Sequence, residues 1–261
     1  MDVHVRGGPA EPFLGARDLF ATEHDIERPV SIEVTDDPSD RTRVQHGEEG
    51  HLLTISRAAA TSAMARELAL HEFAHMVRYE QSHPSHVQST EEAIFLALAG
   101  KSVERRTVAH CYQIANHAKD IYADDVWVEV APADKLVPFL ESSLAVAVAD
   151  RPAGSAANPT AWRRLTAASD PEITAVNAAF ALALVERHDL VDADHRLYDL
   201  AAVAAADAPG VDLASFTRRF RSLARDIDES EYRKALVELT RAYAEAAGTT
   251  HVKADGDAAA D

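Results

Sequence analysis

The stretch LALHEFAHMVRY, residues 68–79, decides how the rest of the chain is interpreted. Successive residues of a helix are rotated by about 100°, so residues three and four apart share a face. On that basis its apolar residues form one stripe: Leu70, Phe73, Ala74 and Val77. Its polar and aromatic residues gather on a different face: His71, Glu72, His75 and Tyr79. The stretch therefore predicts a helix with one side in a core and the other side lining a site.

Two histidines on the site face have the spacing of metal ligands. His71 and His75 are four residues apart, so both imidazoles can direct a nitrogen at one ion. A zinc ion held by two histidines and a third protein ligand keeps one position for water, whose pKa falls to about 7. The neighbouring carboxylate of Glu72 can take the proton from that water. We expect His71 and His75 to bind Zn²⁺ and Glu72 to act as the general base.

The five residues from His71 to His75 read His-Glu-Phe-Ala-His and resemble the His-Glu-x-x-His motif of zincin metallopeptidases. The resemblance implies hydrolysis of peptide bonds in a peptide or protein substrate. A candidate strand at His51–Ser56 precedes the helix. This is similar to the zincin arrangement, in which an edge strand beside the cleft holds an extended substrate. The metzincin extension is absent, because Gln81 stands where its third ligand would be.

Glu92 is one candidate for the third metal ligand. It falls among Phe95, Leu96 and other apolar residues of a predicted helix that opens at Ser89. A buried carboxylate needs a compensating partner, and a metal ion would supply one. A glutamate on the next helix also resembles the gluzincin arrangement. The alternative is a capping box, in which Ser89 is the N-cap and Glu92 reaches back to its backbone N–H. If the helix is rotated slightly, Glu91 takes the place of Glu92 as the candidate ligand.

Asp120 is the other candidate, and it belongs to a polar strip along a later helix. The strip consists of His110, Gln113, Asn116, His117, Asp120 and Asp124. Such a strip is usually a solvated face. Its Asn-x-x-x-Asp-x-x-x-Asp spacing, however, resembles the second motif of some predicted prokaryotic metallopeptidases. That resemblance implies that Asp120 binds zinc or orients a ligand histidine through its second ring nitrogen.

Other residues near the motif are weaker candidates. His83 and His86 lie in a predicted loop directly after the helix, where either a ligand or a solvated polar loop is possible. Glu80 lies on the helix itself, but its helical angle is about 140° or more from the two histidines, so it cannot easily reach the same ion. We therefore discard Glu80 as a ligand.

Composition restricts the class of partner. The formal net charge is -17, and lysine is scarce among the basic residues. High Asp and Ala with little Lys resembles the cytoplasmic proteins of salt-in extreme halophiles, such as haloarchaea, where salt screens an acidic surface. The same balance argues against a nucleic-acid partner, which would require clustered Lys or Arg. The oligomeric state is not indicated.

The cellular location is predicted from three further observations. No apolar run approaches the roughly 18 residues that span a bilayer, so no membrane association is expected. The N-terminal residues lack the basic region and apolar core of a signal peptide. Cys111 is the single cysteine, which excludes an intrachain disulfide and agrees with a reducing compartment. We expect a cytoplasmic protein in which Cys111 is a small core residue.

The predicted fold is α+β and predominantly α. Residues 1–150 should form a zincin-like metal-binding domain, with strands at 29–34, 51–56 and 126–130 and helices that include one from 105 to 125. A linker is predicted at 151–159, and residues 151–247 should form a helical domain with amphipathic segments at 159–168, 171–188, 195–206, 211–225 and 229–247. Residues 248–261 should be a disordered acidic tail.

Two functions follow from this sequence. The first is a zinc-dependent metallopeptidase-like hydrolase. The alternative is a non-catalytic, zinc-stabilised helical interaction protein that keeps the metal as a structural clip.

Overall fold

The chain divides into two compact units that interleave along the sequence. In the computed structural model, residues 1–37, 40, 42–131, 133–149 and 170–257 are described. The first unit comprises Met1–Val87 and Lys119–Lys135, and the second comprises Gln88–Ala118 and Leu136–Asp261. The predicted linker at 151–159 and the predicted boundary at 150/151 lie outside the described residues. The division falls at other positions, because the chain leaves the first unit after Val87 and returns to it for one helical segment.

A mixed sheet of four strands forms one layer of the first unit. The strands are β1 (Val3–Arg6), β2 (Val30–Thr35), β3 (Arg43–His46) and β4 (His51–Ser56). Their order is β1-β2-β4-β3; β2 is parallel to both β1 and β4, whereas β3 is antiparallel to β4. The predicted strands at 29–34 and 51–56 are thus confirmed. The prediction that the second of these is an edge strand is wrong, because β3 covers β4 and forms the edge itself.

Helices make up most of the described chain. They are α1 (Glu11–Phe20), α2 (Arg57–Ala60), α3 (Ala65–Glu80), α4 (Pro84–Val87), α5 (Thr90–Leu98), α6 (Arg105–Val130), α7 (Ala133–Ala149), α8 (Pro171–Arg187), α9 (Arg196–Ala206), α10 (Leu213–Arg221) and α11 (Glu229–Asp257). The α+β, predominantly α class is therefore confirmed. Within the described part of the chain, no helix combines the length and the apolar character that crossing a membrane requires.

The core of the first unit forms where α1 and α3 pack together. Phe20 of α1 contacts Phe73 of α3 edge-on, with 5.9 Å between ring centroids, an arrangement that aromatic pairs prefer. The apolar stripe predicted for α3 is confirmed, since Leu70, Phe73, Ala74 and Val77 are all buried. Because this stripe faces the core, the opposite face of α3 remains for His71 and His75, which are only partly buried.

The second unit is built around α8, which packs against α9 and α10. The inner residues of α8 are buried along almost its whole length. In the same unit α5 packs against α11. The predicted helical segments from 171 to 247 are confirmed with shifted ends, whereas the segment predicted at 159–168 lies outside the described residues.

Two predicted element boundaries are wrong. Residues 126–130 are not a strand but the last turns of α6. Their valines favour a strand, yet Val126 and Trp127 are buried as part of the continuing helix, and this packing overrides the intrinsic propensity. The disordered tail predicted from residue 248 also differs, since α11 continues to Asp257. The stretch 248–257 holds two glycines, two threonines and a single alanine, so helix propensity alone does not predict this continuation; residues 258–261 lie outside the described residues.

Asp170 connects two helices of the second unit. Its carboxylate accepts the backbone N–H of Glu172 and so caps α8, and it receives two hydrogen bonds of 2.6 Å from the Arg106 guanidinium of α6. Burial raises the pKa of Asp170, but hydrogen bonds from His110 and Arg106 and their charges outweigh burial and hold the pKa well below its usual range. The ionised carboxylate therefore stabilises the folded state.

We expect Asp170→Ala to lower the free energy of unfolding by about 3 kcal/mol, because it removes a helix cap and both hydrogen bonds from Arg106 to a partly buried carboxylate. Asp212→Ala is the matched control, since Asp212 caps α10 through Ser215 N at 2.9 Å and is exposed; it should cost only about 1 kcal/mol. A carboxyl group whose pKa is lowered by folding stabilises the folded state at pH values above its unfolded pKa of about 4. This stabilisation is lost as the pH falls. In denaturant unfolding at constant salt, the difference in free energy of unfolding between wild type and Asp170→Ala should become smaller below about pH 4. Equal decreases in the free energy of unfolding for Asp170→Ala and Asp212→Ala at pH 7 would contradict this role of Asp170.

Candidate metal centre

Three side chains of the first unit converge at the site face of α3. His71 Nε2 lies 3.1 Å from His75 Nε2, and Asp120 Oδ1 of α6 lies 3.9 Å from the former and 3.4 Å from the latter. In a tetrahedral zinc site with bonds of about 2.0–2.1 Å, neighbouring ligand atoms are about 3.3 Å apart. The nitrogen and oxygen atoms are also of the types that zinc binds. The donor set therefore fits a single zinc ion.

His71 is oriented for ligation by Asp124, one turn after Asp120 on α6. The Asp124 Oδ1 atom lies 2.8 Å from His71 Nδ1, and the Asp124 side chain is only 4% exposed. A carboxylate has no hydrogen to donate, so His71 Nδ1 carries one, and Nε2, once it has lost its own hydrogen, would direct its lone pair at the group of three. A carboxylate behind a ligand histidine is a recurring feature of metal sites. The ring of Trp127 lies edge-on beside His71, with centroids 6.3 Å apart.

His86 is the hydrogen-bond partner of His75 Nδ1. The turn that ends α3 brings the two residues together. Ser82 adopts a positive φ of 51°, and the N–H groups of Ser82 and His83 donate to carbonyls in the last turn of α3. This is a Schellman arrangement, which reverses the chain. It places α4 against α3, with His86 Nε2 2.8 Å from His75 Nδ1.

The electrostatics of the centre favour a cation. Burial lowers the pKa of His71, but the charges of Asp124, Asp120 and Glu72 and the hydrogen bond with Asp124 outweigh burial and raise the pKa to about 10. Two imidazole nitrogens at 3.1 Å with both lone pairs facing each other would repel. A proton or a metal ion between them removes that repulsion, and the surrounding carboxylates stabilise the positive charge.

Glu92 belongs to the second unit and is not a member of this group. Its side chain is 52% exposed, and it lies 3.8 Å from Arg233 Nη1. The predicted burial of Glu92 is wrong, because α5 buries the face that carries Ala93, Ile94 and Ala97, whereas Phe95 on the Glu92 side is 73% exposed. Ser89 Oγ accepts the backbone N–H of Glu92 at 3.2 Å. The predicted N-cap at Ser89 is therefore confirmed. Its hydroxyl donates to the carboxylate of Glu91.

The other candidates have separate positions. His83 and His86 are not within the group of three, and His83 instead lies 2.7 Å from Ser85 Oγ. Glu80 accepts the backbone N–H groups of Glu27 and Arg28. It is therefore turned away from the metal group, as its helical angle predicts.

The sequence placed Asp124 in the polar strip and His86 in a loop, but their contacts with His71 and His75 were not predicted. Asp124 lies four residues after Asp120, so helical spacing alone could have indicated that it reaches the same helix partner. The role of His86 had no comparable signal, because the Schellman turn that brings it to His75 depends on a non-glycine residue, Ser82, with positive φ. The remaining polar-strip residues His110, Gln113 and His117 interact within the second unit.

Comparison with known proteins gives the chain a family. The chain belongs to DUF5781, a family of unknown function, whose family model matches residues 1–245. The match spans both compact units. No curated protein and no solved structure is found to be similar to the chain. The chemistry of the centre is therefore the basis for assigning a function.

The third ligand can be identified by metal content. Because Asp120 Oδ1 lies within ligand distance of both histidines, we expect Asp120→Ala to lose stoichiometric zinc. Glu92→Ala is the matched control: it also removes a helical carboxylate, but one that is exposed, and should retain full zinc. Elemental analysis after equilibration with zinc and gel filtration in high salt provides the measurement. Loss of zinc in Glu92→Ala alone, or retention in Asp120→Ala, would overturn this ligand set.

Proposed function

We propose that the protein is a zinc-dependent hydrolase of the zincin type that cleaves peptide bonds. The observation that supports this best is the convergence of His71 Nε2, His75 Nε2 and Asp120 Oδ1 within 3.1–3.9 Å of one another. Among the described residues the group has three protein ligands rather than four, which leaves one position for water, the pattern of catalytic rather than structural zinc sites.

Each residue of the centre has a distinct role. His71, His75 and Asp120 would hold the zinc ion, while Asp124 fixes the ring tautomer of His71 and His86 is the hydrogen-bond partner of His75 Nδ1. When bound, zinc supplies Lewis acidity, which polarises the scissile carbonyl and lowers the pKa of water. Glu72 follows His71 directly and its charge acts on that ring. Glu72 accepts the proton of the attacking water and returns it to the departing amine.

The sheet edge supports an extended peptide as the substrate. β3 is hydrogen-bonded to β4 on one side only and forms the end of the strand order in the described sheet. It also contacts α3, the helix that carries both histidines. An edge strand can hold an extended chain through main-chain hydrogen bonds, independent of side-chain identity. A peptide paired with β3 would run alongside the metal centre.

The catalytic role of Glu72 can be separated from metal binding. We expect Glu72→Gln to retain zinc and to lower the hydrolysis rate by about 100-fold or more, because general-base catalysis contributes about that much. Glu92→Gln, the same change at the exposed carboxylate of α5, should leave the rate unchanged. The assay is cleavage of a fluorogenic peptide mixture by the zinc-loaded protein in multimolar salt. Full activity of Glu72→Gln would refute the mechanism.

The same assay distinguishes the alternative function. If zinc removal lowers the melting temperature but the zinc-loaded protein cleaves no peptide at any salt concentration, the metal is a structural clip of a non-catalytic helical interaction protein. The three-ligand set with a carboxylate next to it favours the hydrolase.

A further inference from the structure

A second histidine pair lies at the edge of the sheet in the first unit. His46 of β3 and His51 of β4 are directly paired across the two strands, and their Nδ1 atoms are 2.9 Å apart. On its other side, His51 Nε2 lies 3.1 Å from Glu80 Oε1. The His51 side chain is completely buried. The three side chains thus form a continuous hydrogen-bonded row from Glu80 to His46.

The direction of every hydrogen bond in this row follows from Glu80. Burial raises the pKa of Glu80, but hydrogen bonds from the backbone N–H groups of Glu27 and Arg28 and from His51 outweigh burial and lower the pKa. An ionised carboxylate only accepts, so His51 Nε2 donates and, in the neutral ring, His51 Nδ1 must accept. His46 Nδ1 is then the donor between the two rings. The Nε2 atom of His46 is left with a lone pair.

His46 is held close to the metal helix. Its ring stacks on Tyr79 with centroids 4.0 Å apart and planes inclined by 7°. Tyr79 lies one turn after His75 on the same face of α3. Burial, followed by the charges of His51, His75 and Lys119, lowers the pKa of His46 to about 4. His46 is therefore neutral near pH 7, and its free lone pair is available as an acceptor.

The hairpin that carries His46 is anchored on the same side. Arg28 Nη1 donates to Gly47 O at 2.8 Å, immediately after β3, and the Arg28 guanidinium lies 5.7 Å from the Tyr79 ring centroid. The ring of His46 is thus fixed by Tyr79 stacking, by His51 and by the anchored turn. A ring fixed in position and tautomer is pre-organised to recognise a ligand group.

We propose that Glu80, His51 and His46 form a positioning relay that presents His46 Nε2 as a hydrogen-bond acceptor for a donor side chain of a peptide paired with β3. This inference rests on the proposed function, because it assigns a substrate contact to the hydrolase. Side chains of paired strands stand on the faces of the sheet, and neighbouring side chains on one face contact each other across the strands. Because His46 Nε2 carries no hydrogen, it favours a hydroxyl, amide or ammonium side chain over a carboxylate at that position.

The relay is tested first by imidazole nitrogen NMR, which distinguishes the two ring tautomers and needs neither metal nor substrate. We expect His51 to carry its hydrogen on Nε2 and His46 on Nδ1. His51→Gln keeps an acceptor and a donor and should preserve the His46 tautomer, whereas His51→Leu removes the acceptor and should move the hydrogen to His46 Nε2. A wild-type His46 that carries its hydrogen on Nε2 would overturn the proposal even if the protein is an active peptidase.

The substrate contact is tested with peptide hydroxamates on the zinc-loaded protein. The probes differ only by replacement of one serine by alanine at a time, and their affinities are compared for wild type and His46→Phe, which keeps the stacking on Tyr79. At one position, the replacement should weaken binding to wild type about 10-fold more than binding to His46→Phe, the value of about one hydrogen bond. Zinc content should be the same in both proteins.

The outcomes are separable from those of the hydrolase assay. If the serine replacement at every position affects both proteins equally, the two histidines only hold the hairpin in place and the proposal is wrong, while the hydrolase assignment stands. If none of the hydroxamates binds the zinc-loaded protein, the proposed function fails and the substrate contact with it.

Discussion

The pairing of His71 on α3 with two carboxylates of α6 is the interaction on which the centre depends. Asp124 is almost fully buried against His71, and a buried carboxylate without a partner would cost several kcal/mol. The hydrogen bond between them therefore fixes which turn of α6 faces the histidines. Arg78 of α3 adds a second fixed point by donating to the carbonyl of Tyr122 at 2.9 Å. Once this register is set, Asp120 can only lie beside both Nε2 atoms.

The second unit shows why a similar collection of side chains has a different role there. His110, Asp170 and Glu172 are also close enough to hold a metal ion. The Arg106 guanidinium, however, donates twice to Asp170 at 2.6 Å and lies 3.3 Å from Glu172. The positive charge that these carboxylates need is thus supplied by the protein itself, through the bidentate geometry for which arginine is suited. The group at α3 has histidines in place of that arginine.

The sequence predicts those parts of the site that one helix determines. The division of α3 into a buried face and a partly buried face with His71 and His75 follows from helical periodicity and is confirmed. Asp120 could be named but not chosen over Glu92, because the choice depends on which face of α5 is packed. Both faces of α5 carry apolar residues, and the structure buries the face with Ala93, Ile94 and Ala97. The strand β3, with the sequence Arg-Val-Gln-His, is too short and polar to be recognised alone, so its position at the sheet edge and its His46 could not be predicted.

The measurement that tests the central claim most directly is anomalous diffraction at the zinc absorption edge from crystals of the zinc-loaded protein. The predicted result is one strong peak within about 2.0–2.2 Å of His71 Nε2, His75 Nε2 and an Asp120 carboxylate oxygen. A peak between His110, Asp170 and Glu172, a peak at Glu92, or no bound zinc at α3 would contradict the assignment of the metal centre.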